Sequence, residues 1–353
     1  MPDAFLGLSV DDQREVLELA SQRTGRPAHL LEKDVWVVWV LQTLFGDRFG
    51  DESGTATHPP SPLAAHLTFK GGTSLSKAYR IIDRFSEDID LTYDIRRLIP
   101  DLVDAATALP GSRSQADRWT KAVRTRLPQW IDHDVRPLLQ QAIDQQRLSV
   151  RLEQAGTEQD KLLLHYPAQR LGTGYVAPVV TMEFGARATG EPHQVMQVTC
   201  DMAGQVDGVT FPQASPQVMT VARTFWEKAT AAHVYCAQAR IRGERYARHW
   251  HDLAAIARSE HFDAVLADRD VARAVAEHKS RFFIERDADG RTIDYFAATG
   301  GQLAIEPVGL ARDALQADYA LMVADDVMVG HALTFEDLMA ACASIAARAN
   351  AAA

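Results

Sequence analysis

Cysteine is scarce. Cys200, Cys236 and Cys342 are the only three in 353 residues. They are widely spaced and form no CxxC pair, which excludes a disulfide-stapled scaffold and a thiolate metal knuckle. No apolar run approaches the ~20 residues that cross a bilayer. The densest, Val35–Leu41, reads as a short buried helix, so no membrane span is expected. The opening residues lack a basic stretch leading into an apolar one; no secretory leader is expected, and a cytoplasmic location fits. No Gly-x-Ser-x-Gly elbow marks a nucleophilic serine. Lysine occurs only at positions 33, 70, 77, 121, 161, 228 and 279, so each one is worth inspecting. Net charge is −10, which gives the whole surface no attraction to nucleic acid, although a local patch can hide within it. Apolar residues make up 46% and charged residues 24%, the balance of a globular chain, and the length suits two domains.

Apolar spacing predicts helices over Val10–Arg23 and Leu30–Phe45. A loop rich in Gly, Asp, Ser, Thr and Pro follows over 46–62. Leu67–Lys70 reads as a strand broken by Gly71 and Gly72, with a helix over Ser74–Ile82 and a strand over Ile89–Tyr93. Residues 97–149 read as mostly helical. Strand patterns return at Leu162–Tyr166, Pro178–Phe184 and Val195–Asp201. The segment Phe211–Gln217 is the best boundary, and beyond it the chain is largely helical. The expected domains are N-terminal helices over 1–60, an α+β core over 61–211 and a helical domain over 212–353.

Chemistry concentrates in two neighbouring segments, Phe69-Lys-Gly-Gly-Thr-Ser-Leu-Ser-Lys77 and Ser86-Glu-Asp-Ile-Asp-Leu91. A strand that ends in glycines and turns into a helix presents backbone N–H groups to an anion. Gly71, Gly72, Thr73 and Ser74 are therefore candidate nucleotide-phosphate contacts. The loop is not a Walker A motif, which needs a Gly-Lys-Ser/Thr ending. Asp88 and Asp90, two apart on a strand, share a face while Ile89 and Leu91 point inward. Paired carboxylates repel unless a cation lies between them, and Mg²⁺ (or Mn²⁺) with nucleotide phosphates answers that need. An isolated Asp-x-Asp is also commonly just a solvated strand. Glu183 sits inside an otherwise apolar strand, either as a third metal ligand, paired with Arg187, or simply facing outward.

Together these segments resemble the polymerase β-type nucleotidyltransferase superfamily, and more closely the AbiEii toxin family, which includes the MenT toxins. Glu32-Lys-Asp-Val-Trp36, Arg223-Thr-Phe-Trp-Glu-Lys228 and Arg245-Tyr-Ala-Arg-His-Trp-His-Asp252 extend the resemblance over about residues 30–340. It implies an α+β fold: a polymerase β-type core with a mixed sheet, N-terminal helices and a helical C-terminal domain. It also implies a site of Ser74, Asp88, Asp90, Lys228 and Asp252. Lys228 would neutralise a triphosphate, and Asp252 would orient Lys228 or cap the edge of the site. The implied activity is Mg-dependent transfer of a nucleoside monophosphate from an NTP to the 3′ end of tRNA. That would block translation, as the toxin of a toxin–antitoxin or phage abortive-infection system with its antitoxin encoded alongside. A protein or small-molecule acceptor, or a GTP-dependent binding module without turnover, are the alternatives.

A last signal is local charge. Arg223 to Arg258 holds seven basic residues against three acidic ones. Arg240, Arg242, Arg245 and Arg248 are candidate RNA-phosphate contacts. Equally, the stretch reads as a solvated arginine face with internal ion pairs. His249-Trp-His251 lacks a third ligand nearby and makes a poor transition-metal site.

Overall fold

The computed structural model describes residues 3–49, 58–103, 108–170, 177–239, 245–324 and 332–353. The chain forms two compact units. One comprises residues 1–78, 86–102 and 121–218; the other comprises 79–85, 103–120 and 219–353.

The first unit opens with α1 (Val10–Thr24) and α2 (Ala28–Phe45). Ser9 caps α1 by accepting from the Asp12 N–H at 3.2 Å, and Gly25 ends it at φ +70°. Val16, Leu17 and Ala20 form its buried face. Nearly all of α2 is buried, Trp39 and the valines included, because its apolar residues go all the way round.

A seven-stranded mixed sheet follows: β1 (Leu67–Lys70), β2 (Ile89–Tyr93), β3 (Arg151–Ala155), β4 (Lys161–His165), β5 (Val179–Gly185), β6 (His193–Val195) and β7 (Gln217–Met219). Its order is β3-β4-β5-β2-β1-β7-β6. β2 runs antiparallel to β1 and parallel to β5, while β3, β4 and β5 form an antiparallel meander. One face carries Phe69, Ile89, Leu91, Leu162, Leu164, Val180 and Met182, all fully buried. Each such side chain contributes about 1.5–3 kcal/mol. The opposite face carries Lys70, Asp90, Glu183 and Lys161, so period-2 alternation separates core from chemistry.

Between β1 and β2 the helix α3 spans Gly71–Lys77, starting earlier and ending sooner than the pattern suggests. Arg80 takes a left-handed φ of 54°, and the chain beyond it runs without regular structure to β2. β3 is absent from the sequence expectation. It is an edge strand with Arg151 and Glu153 in its sequence, so no apolar alternation announces it. Of the expected strand over 195–201, only Val198–Thr199 and the end of β6 are extended in ladders. Helices α4 (Arg113–Trp130) and α5 (Arg136–Gln146) fill the interval before β3, and α5 packs on α2.

The second unit is helical: α6 (Val221–Ala237), α7 (Ala247–Arg258), α8 (Phe262–Ala267), α9 (Arg269–Phe282), α10 (Tyr295–Thr299), α11 (Leu310–Ala324) and α12 (Phe335–Ala351). α7 packs against α6, α11 and α12, and α9 against α6 and α10. Trp226 and Trp250 are fully buried in it, and the Trp250 indole donates to the Ile305 carbonyl at 2.7 Å.

Candidate functional site

Asp88 precedes β2 and Asp90 lies within it; both are half-buried between the buried Glu87, Ile89 and Leu91. Backbone pairing sets Asp90 opposite Lys70 of β1 and Glu183 of β5, and sets Glu183 opposite Lys161 of β4. The result is a row across four strands, cation, acid, acid, cation. Glu183 is ion-paired with Lys161, a partner the sequence reading did not consider. Burial opposes the charge on Lys161, yet Glu183, with Asp88 and Asp160 adding to it, holds the ammonium above the usual lysine range.

The glycine loop meets the same carboxylate. Gly71 has φ +80°, and a Cβ there would lie 2.0 Å from Asp90 Oδ2, so only glycine admits this approach. Thr73 is fully buried; its hydroxyl donates to the Asp88 carbonyl at 2.5 Å and lies 2.9 Å from the Ser86 hydroxyl. The buried Ser74 hydroxyl donates to the Gly71 carbonyl at 2.9 Å. Thr73 and Ser74 thus fix the loop from inside, with Gly72 buried beside them.

Three consecutive charges on α2 hold this region from behind. Glu32 accepts from the backbone N–H groups of Gln169 and Arg170. Lys33 donates to Glu87 at 2.6 Å, one residue before Asp88, and to the Ala177 carbonyl at 3.0 Å. Asp34 pairs with Lys77 at 2.6 Å and accepts from the Asp201 N–H at 2.6 Å, while Lys77 also reaches Asp201 at 2.7 Å. Burial, opposed by Lys77 and reinforced by the Asp201 charge, pushes Asp34 up to about 6. These roles are visible in sequence only as three charges interrupting an apolar helix, a pattern that needs buried partners.

In the helical unit, Asp252 of α7 is wholly buried and takes Arg84 in a fork, Nε to Oδ1 and Nη2 to Oδ2, both at 2.9 Å. Lys228 of α6 completes the set at 2.9 Å from Oδ2. Burial alone would raise this carboxyl, but Arg84 and Lys228 hold it well below the carboxylate range. Asp252 therefore holds Lys228 in an ion pair, and it is no proton acceptor near neutral pH. Arg84 went unassigned in the sequence, because its partner lies 168 positions away. Beside them, burial, with the Lys228 charge adding to it, pushes His249 down to about 3; it is neutral, and its Nδ1 is buried without a hydrogen-bond partner.

Arg240 and Arg242 lie outside the described residues. Arg245 has a left-handed φ of 69° and donates its backbone N–H to Asp318 at 2.7 Å; Arg248 is half-buried on α7. Arg223 is buried and paired with Glu227 at 3.0 Å, so part of the basic stretch is spent internally. Among the described residues, no three His, Cys, Asp or Glu side chains form a metal cage. Two half-buried carboxylates two residues apart, Asp88 and Asp90, nevertheless suit a Mg²⁺ ion, which takes one or two from protein and the rest from phosphates and water. The close fit of Gly71 beneath Asp90 keeps that side of the carboxylate clear of side-chain atoms.

A family model described as the nucleotidyl transferase AbiEii toxin of type IV toxin–antitoxin systems matches residues 56–341. No curated protein matches the chain. Among solved structures it is similar to MenT4, a nucleotidyltransferase toxin from Mycobacterium tuberculosis, at 17% identity over 95% of this chain and 98% of that one, with a TM-score of 0.41. It is also similar to JHP933 from Helicobacter pylori, at 12% identity over 90% and 89% of the two chains, with a TM-score of 0.39.

Proposed function

The chain belongs to the AbiEii family of nucleotidyltransferase toxins of type IV toxin–antitoxin systems, and from that membership we propose that it transfers a nucleoside monophosphate from an NTP to the 3′ end of tRNA. The observation that carries the reading is Asp90 on β2, with Asp88 just ahead of the strand and Gly71 closed beneath Asp90. Asp88 and Asp90 would hold Mg²⁺, which when bound neutralises phosphate charge and activates the attacking oxygen. The backbone of Gly71–Ser74 binds the phosphates, with Thr73 and Ser74 fixing its shape. The family resemblance implies that Lys228 would supply a compact cation for the triphosphate. Arg84 and Lys228 set two positive charges against the single negative one of Asp252, so the cluster keeps a net positive charge. The 3′ oxygen of the acceptor bonds to the α-phosphorus, the bond to the β-phosphate bridge breaks, and pyrophosphate departs with the charge. The acceptor's proton passes to solvent.

On this reading the added nucleotide blocks aminoacylation and stops translation, and the family implies an antitoxin partner that restrains it. No helix among the described residues is long and apolar enough to cross a membrane, and the proposed setting is the cytoplasm.

Purified protein with Mg²⁺, total tRNA and each α-labelled NTP in turn tests the reaction. Label is expected to enter tRNA from one preferred nucleotide and to be lost in the Asp88→Ala/Asp90→Ala double variant. Label that enters tRNA equally in the double variant would refute the carboxylate site. Label that enters protein or small molecules in a lysate, and never RNA, would replace the acceptor and leave the transfer chemistry standing.

A further inference from the structure

The metal site proposed above leaves Glu183 unassigned. Register places it directly beside Asp90 on the neighbouring parallel strand, about 4.8 Å away along the sheet. A glutamate side chain spans that distance with ease, so a cation on Asp90 lies within its reach. On its other side, equally in register, stands Lys161, and Lys161 holds the carboxylate in an ion pair. β4 is tied to β5 over five consecutive register positions, so the backbone of Lys161 is held beside Glu183. The two side chains are 37% and 39% exposed, which leaves the pair free to rearrange without stranding a buried charge.

We infer that Lys161 sets the composition of the metal site: by pairing with Glu183 it keeps that carboxylate out of the coordination shell, and the divalent ion is held by Asp88 and Asp90 without a third protein acid. The inference rests on the proposed Asp88–Asp90 metal site. Its physical basis is competition between two cations for one carboxylate. A tethered ammonium on β4 draws Glu183 away from Asp90, and its positive charge also weakens the pull on a second cation nearby. Removing Lys161 both frees a ligand and deletes a like charge. Removing Lys161 and Glu183 together restores the original local charge while deleting the ligand, and this separates the two effects.

Mn²⁺ binding, followed through the electron paramagnetic resonance signal of the free ion, supplies the test with no turnover involved. Wild-type protein is expected to bind Mn²⁺ saturably, and Asp88→Asn/Asp90→Asn to lose that binding. Lys161→Met is expected to tighten Mn²⁺ roughly tenfold, since ligand charge count governs divalent affinity. Lys161→Met/Glu183→Gln is expected to return within about twofold of wild type, being equal to it in local charge. Lys161→Met binding no tighter than wild type would overturn the inference. A double variant at least about fivefold weaker than wild type would also overturn it, because Glu183 would then already be a ligand. Wild-type binding that survives Asp88→Asn/Asp90→Asn would instead remove the parent metal site, an outcome distinct from both. Matching thermal midpoints across the set confirm that the folded protein is being compared.

Discussion

At position 71 the backbone takes φ +80° with the Asp90 carboxylate pressed against it, close enough that a methyl group has nowhere to go. Gly71→Ala is expected to cost about 1–3 kcal/mol in stability through strain alone. Transfer should fall by more than stability does, roughly a hundredfold, because Asp90 must move. Urea unfolding and the tRNA labelling assay, run on the same preparation, measure the two effects. Full transfer in a folded Gly71→Ala protein would mean that the close approach has no functional part. The face of Asp90 was legible in the sequence because it alternates with Ile89 and Leu91, whereas Asp88 falls just ahead of the strand. Lys161 was not legible, although it stands in the same row. Its role depends on which strand lies beside β5 and in what register, and no stretch of neighbouring residues carries that information.

Asp252 joins two helices and a connecting segment through one buried carboxylate: Lys228 from α6, Arg84 from residues 79–85, and its own α7. Asp252→Asn would leave the buried Arg84 and the largely covered Lys228 without their anion, and about 3–5 kcal/mol of stability should be lost at neutral pH. The pH dependence follows from the depressed carboxyl. The stabilisation is fully present above the unfolded value near 4 and is lost as pH falls below it toward the folded value. Urea midpoints of the two proteins should therefore converge as pH drops below about 4; a gap that stays constant would mean Asp252 is not held as a carboxylate. The elements themselves were read well where local chemistry marks them. α1 and α2 begin and end close to their apolar periods, with Ser9 and Gly25 as the stops of α1. The reading failed at β3, whose Arg151 and Glu153 suit an edge strand and mimic a loop. It failed again at α3, which stops at Lys77 where the apolar pattern runs on to Ile82, and Arg84 in the irregular segment beyond is tied to Asp252 by a long-range contact that no local pattern marks.

The chain passes between its two units five times, after residues 78, 85, 102, 120 and 218. Neither unit is a continuous piece of sequence, and α7, which carries Asp252, packs against α11 and α12 near the far end of the chain. For a toxin this bears on its own manufacture. A ribosome lays down the glycine loop and Asp88–Asp90 early, yet the helix bearing Asp252 finds α6 already made and its partners α11 and α12 only once residues 310–351 have emerged. A half-made chain is therefore expected to be harmless to the cell that is translating it, with activity arriving late in synthesis. Chains halted after residue 258 contain every residue of the proposed site; expressed without an antitoxin, they should leave growth untouched while the full chain stops it. Growth arrest by the shortened chain would show that the enzyme is armed earlier in its synthesis than its packing implies.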